Sequence, residues 1–282
     1  MSKKISLGSW LSQAKQEMNA QIEQPGLVAE VLAAHHLGQS RTWVLAHPEH
    51  VLEAGSKSRM DTSLGRVLNG EPLPYILGKW EFFGLSFSVS RATLIPRPET
   101  EKLVEIAIDW LQQHPGRRSG VDVGTGSGCI AISLAYHIPD LRIIACDISS
   151  GALRVASENI QTYSLQDRVH LVAGDLLEAC DVTFDLICAN LPYIPIERLD
   201  QLQVSKNEPR LALDGGEDGT EVISVLIRDA VNKLSSGGLF LMEMDESHAQ
   251  TLREYAKTYF PCGKIEVFND QSGKPRILRI EN

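Results

Sequence analysis

Asn190-Leu191-Pro192-Tyr193 closes an apolar run, Phe184 to Ala189, that reads as a buried strand. The asparagine side-chain carbonyl and the main-chain carbonyl of Leu191 can together accept both hydrogens of one NH2 group, with Tyr193 against its planar face. Such a clamp holds a nitrogen in line with an electrophile. Amide and aryl-amine nitrogens are poor nucleophiles because their lone pair is delocalised. Acceptors that fix both hydrogens orient that lone pair and favour the tetrahedral form reached during attack, so no strong general base is obligatory. An Asn-x-Pro turn leaving a strand is also a common structural device, and the tetrapeptide takes its meaning from what lies upstream.

Upstream lies Gly120-Val121-Asp122-Val123-Gly124-Thr125-Gly126-Ser127-Gly128, running from a short strand into the apolar helix that begins Cys129-Ile130-Ala131-Ile132. Glycines there let a ligand approach the backbone, and the helix amino terminus presents N–H groups. The dinucleotide fingerprint GxGxxG requires glycine where this chain has Cys129, which argues against a nicotinamide cofactor. Asp147 ends the next strand about twenty residues on, where a carboxylate accepts both ribose hydroxyls or caps the following helix. Asp175 follows the third strand; it can receive an adenine amino group or simply form a turn. Asn207 to Gly219 forms a long loop of the kind that often lines a strand-end crevice.

The elements that carry these residues alternate. Strands are expected at 121–123, 142–146, 169–173, 184–189, 238–244, 264–268 and 276–280, and helices at 129–137, 150–162, 220–234 and 246–259. This alternation implies a mostly parallel sheet covered on both faces, with ligands outside the carboxyl ends of the strands where the chain order reverses. A further helix from Pro98 through Trp110 is signalled by Pro98, Glu99 and Glu101 in its first turn. Tyr75 to Leu94 has a β pattern, with Glu81–Leu85 and Phe87–Val89 forming a hairpin around a glycine turn. Before it, residues 1 to about 75 have the rhythm of short helices, in which Trp10 and Trp43 pack a small bundle or form a docking face.

Composition bounds the function. The 282 residues are 43% hydrophobic and 22% charged, ordinary for a globular protein, and no run is long and apolar enough to span a bilayer. The amino terminus lacks the apolar stretch of a secretory signal, which points to the cytoplasm. Cys129, Cys146, Cys180, Cys188 and Cys262 show no CxxC spacing and read as buried thiols rather than disulfides or ligands. His35 and His36 read as packing or surface residues; no cluster has zinc spacing, and no GxSxG elbow marks a hydrolase. A net charge of −9 argues against stable binding of a long phosphate backbone. The first 75 residues, counting Lys3 and Lys4, balance their charges, so the acidity belongs to the rest.

From about Tyr75 to the carboxyl terminus the chain resembles the release-factor glutamine methyltransferases. The likeness is carried by "YILGKWEFFGLSFSV", "LIPRPETE", "DVGTGSG", "NLPYI" and "NEPRLALDGGEDG". The resemblance implies a Rossmann-like class I methyltransferase: an α/β fold with a mostly parallel sheet, preceded by a small helical domain and a β-hairpin linker. The corresponding organisation is a helical release-factor-recognition domain at 1–74, the linker at 75–95 and the methyltransferase domain at 96–282. It further implies methyl transfer from S-adenosylmethionine to the glutamine side-chain amide in the GGQ motif of bacterial class 1 peptide chain release factors.

Carried over residue by residue, the resemblance puts the cofactor's methionyl end at Gly124, Thr125, Gly126, Ser127 and Gly128, its ribose at Asp147 and its adenine near Asp175 and Leu176. It puts Asn190 between cofactor and substrate, and the glutamine amide against Asn190, the Leu191 carbonyl, Pro192 and Tyr193. The family commonly has proline where Leu191 stands. Because the expected contact there is a main-chain oxygen, leucine removes only a restriction on φ, which predicts reduced preorganisation. "MEMDESHA" and "DQSGKPR" also depart from the family's usual patterns. Two other readings compete: an amino-methyltransferase acting on adenine in DNA or RNA, and a weakened, non-catalytic protein that binds translation factors. A monomer is expected.

Overall fold

A computed structural model describes residues 5–202, 204–270 and 272–282; Lys3 and Lys4 lie outside the described residues. The chain divides into two compact units, one ending at Gly78 and the other running from Lys79 to Asn282.

The first unit is helical: α1 (Leu7–Met18), α2 (Pro25–Leu37), α3 (Arg41–Ala46), α4 (Ala54–Leu68) and α5 (Leu73–Leu77). Their apolar faces meet in one core that contains Leu7, Trp10, Met18, Leu32 and Met60. Trp10 is 2% exposed and donates its indole N–H to Asp61 at 2.8 Å, while Trp43 packs partly buried against the same core and stacks on His47. His36 bonds Ser63 Oγ at 2.8 Å, which gives it a packing role. Tyr75, expected to open a β segment, belongs to helix α5. Proline sits in that helix's first turn and Gly78 caps it at φ 70°, the usual pairing of a proline start and a glycine stop.

The second unit opens with a hairpin, β1 (Lys79–Phe82) and β2 (Leu85–Ser88). Its two-residue turn, Phe83 (φ 49°) and Gly84 (φ 73°), has both residues in the left-handed region that matches strand twist. After α6 (Pro98–Gln113) come β3 (Ser119–Val123), α7 (Cys129–His137), β4 (Arg142–Asp147), α8 (Ser150–Thr162), β5 (Val169–Ala173) and β6 (Phe184–Ala189). They are followed by α9 (Ile196–Leu199), α10 (Glu221–Ala230), β7 (Leu234–Glu243), α11 (Ala249–Tyr259), β8 (Lys264–Asn269) and β9 (Pro275–Glu281). Among the described residues the sheet has seven strands in the order β5-β4-β3-β6-β7-β9-β8. Pairings are parallel except those of β9 with β7 and β8. The α/β class expected from the sequence is the class observed.

Because strand side chains alternate, the sheet has two cores. One face buries Ala145, Leu186, Cys188 and Leu241 under residues of α6 and α7 such as Leu103, Leu111 and Ile132, with hairpin residues Phe82 and Phe87 in the same cluster. The other buries Val121, Ile187, Phe240 and Leu278 under Ile223 and Leu226 of α10 and Leu252 of α11.

Further elements differ from their sequence readings: the hairpin turns at Phe83 and Gly84, which were expected inside its first strand, and two helices have other bounds. Helix α10 stops at Ala230 rather than near 234, because its buried face of Ile223, Leu226, Ile227 and Ala230 is complete there. Leu234 then enters the sheet opposite Phe184, extending β7 backwards past a register shift. The helix expected from 246 begins as one 3₁₀ turn, Glu246–His248, where the Asp245 side chain accepts from Ser247 N; α11 proper starts at Ala249.

Candidate active site

The chain order reverses between β3 and β6: β4 and β5 lie on one side of β3, and β6 and β7 on the other. Val123 pairs with Ala189, so Gly124 and Asn190 leave the sheet side by side at its carboxyl edge, the crevice position for ligands in such sheets. At the turn, Gly124 (φ 71°), Gly126 (φ 57°) and Gly128 (φ 81°) are all left-handed, a conformation that strains other residues. A Cβ at Gly126 would meet nothing within 4 Å, so a side chain there would project into space that a ligand can use. One at Gly124 would lie 2.8 Å from Leu191 Cδ2. Leu191 itself is 6% exposed and packs in the core. The Leu191 side chain thus packs against the glycine loop.

A cavity of about 410 Å³ occupies this crevice, within the range of small-molecule sites. Gly124, Thr125, Gly126 and Ser127 form its floor with Asp147, Asp175 and Leu176, and Asn190, Leu191 and Pro192 close one side. Asp147 accepts Gly126 N through Oδ2 and Ser149 N through Oδ1, each at 2.8 Å. It therefore braces the glycine loop, and each oxygen keeps lone-pair capacity for a hydroxyl. The cap of α8 is Ser149, whose side chain accepts from Ala152 N. Burial raises the Asp147 carboxyl above its usual range, opposed by these two N–H bonds. Leu176 holds φ 46° at the cavity edge, backbone strain of the kind that clusters at functional sites.

The long loop lines the cavity through Pro209, Leu211, Ala212 and Asp214, as do Leu94, Pro96 and Arg97. Buried Glu208 ties these walls together, accepting Ile95 N at 3.0 Å and pairing with the Arg97 guanidinium. The loop also packs on the segment after Asn190. Ile194 N donates to Leu213 O, and Gly215 N to Ile194 O. A Cβ at Gly219 would lie 2.5 Å from Tyr193 O, so glycine is required for that approach.

Asn190 is held from behind. Its Nδ2 donates to Thr100 Oγ1 at 2.9 Å and to Glu243 Oε2 at 3.1 Å. The Thr100 hydroxyl donates to the same Glu243 oxygen at 2.6 Å, and Tyr193 OH donates to Glu243 Oε1 at 3.2 Å. Neither Asn190 Oδ1 nor the Leu191 carbonyl takes a hydrogen bond from any described residue. Burial raises the Glu243 carboxyl above its usual range, against the Thr100 bond and the Arg276 charge. Burial, with Glu243 as its neighbour, pushes the Tyr193 hydroxyl up.

The structure thus gathers Gly124 to Ser127, Asp147, Asp175, Leu176, Asn190, Leu191 and Pro192 at one cavity. Gly128 instead caps α7, and Tyr193 stands outside the cavity wall with its hydroxyl on Glu243. Cys129, whose thiol burial pushes up to about 12, remains a neutral side chain. Sequence reasoning missed Thr100 and Glu243. The available signal was a carboxylate ending the apolar strand β7, the neighbour of the strand that ends at Asn190. Among the described residues there is no cluster suited to a metal, and no helix is long and apolar enough to cross a membrane.

Two family descriptions match the chain: PrmC N-terminal domain over residues 9–78 and Methyltransferase small domain over residues 102–206. A protein named release factor glutamine methyltransferase from Rhodopirellula baltica is 36% identical over 266 residues, covering 92% of this chain and 90% of that one. Its namesake from Bordetella pertussis is 40% identical over 258 residues, covering 90% and 93%. A third, from Nitratidesulfovibrio vulgaris, is 35% identical over 279 residues, covering 97% and 94%. Among solved structures, the hMettl16 catalytic domain in complex with MAT2A 3'UTR hairpin 6 matches with a TM-score of 0.58 at 16% identity, covering 83% of this chain and 84% of that one. Ribosomal protein L11 methylase from Lactobacillus delbrueckii subsp. bulgaricus matches with a TM-score of 0.50 at 21% identity, covering 69% and 83%. These two likenesses concern the fold. The extent and identity of the sequence matches show that this chain belongs to the release factor glutamine methyltransferase family.

Proposed function

We propose that this protein methylates the side-chain amide nitrogen of the glutamine in the GGQ motif of bacterial class 1 peptide chain release factors. The observation that carries the reading is the pair of uncommitted acceptors, Asn190 Oδ1 and Leu191 O, beside a glycine-loop cavity at the point where the strand order reverses. S-adenosylmethionine supplies a methyl carbon on a positively charged sulfur when bound. Gly124 to Ser127 would hold its methionyl end, Asp147 its ribose hydroxyls, and Asp175 and Leu176 its adenine.

Asn190 Oδ1 and the Leu191 carbonyl accept the two amide hydrogens of the substrate, with Pro192 beside them and the Tyr193 ring as a platform for the amide plane. This arrangement turns the nitrogen lone pair out of conjugation and toward the donor. The nitrogen that gains the methyl group releases one proton to solvent. The helical unit serves release-factor recognition, and the acidic second unit complements a basic, ribosome-binding partner. A substrate of this kind places the protein in the cytoplasm, and a monomer suffices for the reaction.

The test is incubation with labelled S-adenosylmethionine and, in separate arms, a release factor and nucleic acid. Label recovered in the GGQ peptide supports the reading. Label in adenine, or in neither substrate, overturns it.

A further inference from the structure

Glu243 follows Met242, which pairs with Ala189 across β6 and β7, so its carboxylate stands beside Asn190 at 1% exposure. Counting hydrogens settles the local arrangement. Thr100 has one hydroxyl hydrogen, and it goes to Glu243 Oε2; only lone pairs of Thr100 Oγ1 remain to face Asn190. The Nδ2 group of Asn190 thus faces two acceptors, Thr100 Oγ1 and Glu243 Oε2, that are themselves 2.6 Å apart. Turned over, the asparagine amide would set Oδ1 against a buried carboxylate oxygen, two acceptors with no hydrogen between them. It would also present NH2 to the NH2 it must grip.

We propose that Glu243, assisted by Thr100, is a positioning residue that dictates which end of the Asn190 amide faces the substrate. It makes Asn190 an obligate acceptor and selects for substrates that offer NH2. This rests on the reading of Asn190 as an amide clamp. The same carboxylate takes the Tyr193 hydroxyl on its other oxygen, so one buried acid orders both residues. The groups that face it are Thr100 and Glu99 from α6, Tyr193 from the loop after β6, and Arg276 from β9. Burial raises its proton affinity. Protonation gives the carboxyl a hydrogen to donate to a turned-over Oδ1 and removes the discrimination. Activity therefore falls as pH drops through the raised Glu243 pKa.

Three variants and two independent readouts decide the matter. Glu243→Met keeps length and bulk without an acceptor, and lowers kcat for GGQ-peptide methylation by about 10- to 100-fold while the S-adenosylmethionine dissociation constant stays within about threefold. Glu243→Gln carries a hydrogen donor that does not titrate, as the protonated acid does; its kcat at neutral pH falls toward that of the unmodified protein at the foot of the acid limb, and the limb itself is lost. Thr100→Val lowers kcat in the same direction as Glu243→Met. In the unmodified protein the Asn190 side-chain NH2, assigned by its absence in Asn190→Ala, exchanges its hydrogens with solvent more slowly than a free asparagine amide.

Native kcat in a folded Glu243→Met, an unchanged acid limb in Glu243→Gln, or free exchange of the Asn190 NH2 in the unmodified protein overturns the proposal. Should Glu243→Met fail to fold, Thr100→Val and the exchange measurement decide. Slow exchange in a protein that labels no glutamine would overturn the proposed function and leave the positioning role standing.

Discussion

Gly219→Ala reaches the clamp from the end of the long loop, at a residue that does not itself line the cavity. Gly219 has φ 83°, and an added Cβ would lie 2.5 Å from Tyr193 O, 2.9 Å from His248 Cε1 and 3.0 Å from Pro195 Cδ. The nearest atom is backbone, so no side-chain rotation relieves it. Moving Tyr193 O from 2.5 Å to the 3.4 Å where ordinary contact begins displaces the NLPY segment by about 1 Å, a shift of the size that lowers turnover about 100-fold when it misaligns reacting groups. Stability falls by about 1–2 kcal/mol for the left-handed backbone and about 1–3 kcal/mol for overpacking.

Gly273→Ala separates these contributions: its φ is 81° and its Cβ would meet nothing within 4 Å. It carries the backbone strain of about 1–2 kcal/mol alone and keeps native kcat. Steady-state methylation of a GGQ peptide, calorimetric titration of S-adenosylmethionine and denaturant unfolding of both variants form the assay. The expected outcome is a large loss of kcat in Gly219→Ala only, with cofactor affinity preserved. Native kcat in Gly219→Ala, or equal losses in the two variants, refutes the claim that the 207–219 loop positions the clamp.

Asn190→Ala removes the side-chain acceptor; single-turnover methylation should slow by about 100-fold or more, with the cofactor dissociation constant moving less than about tenfold. Asp147→Asn has one acceptor oxygen for the two N–H groups that Asp147 now serves. Its S-adenosylmethionine affinity, read by calorimetry, should fall by about 10- to 100-fold, the worth of a hydrogen bond to a charged group. Asp122 is fully buried beneath the glycine loop, and burial lifts its carboxyl from 3.8 to about 7. A folded pKa above the unfolded one contributes stability fully present below pH 3.8 and lost as pH rises through about 7. The urea midpoint of the native protein should therefore fall between pH 5 and pH 8, and Asp122→Asn should narrow that difference; an unchanged difference would refute the assignment.

Features that depend on one stretch of chain were legible before the structure. The glycine loop, Asp147 and Asn190 each end an apolar run at a strand boundary, and strand termini in an α/β sheet share an edge. Thr100 was not, because a hydrogen bond between side chains 143 residues apart leaves no local trace; Glu243 also ends an apolar run, but nothing local ties it to Asn190. Within its own segment Thr100 reads as one residue in the first turn of α6. The early start of β7 escaped for a similar reason, since Leu234 is strand only because Phe184 pairs with it. Leu191 shows a third case: residue type alone speaks only of a lost restriction on φ, whereas the burial of its side chain against Gly124 is a property of the fold.

The hydrogen-bonded trio of Thr100, Asn190 and Glu243 spans separations of 90, 53 and 143 residues. These amount to two independent closures, since the longest separation is the sum of the other two; each carries an entropy cost that grows with the logarithm of loop length, and the trio is incomplete until β6 and β7 have paired. During folding, then, the clamp forms late, after local helices and the hairpin have their own contacts. A partly folded chain can display helix and bury apolar surface while holding no oriented Asn190. Competence to methylate thereby requires β6 and β7 to have paired, and a chain still emerging from synthesis without β7 has no ordered clamp to offer.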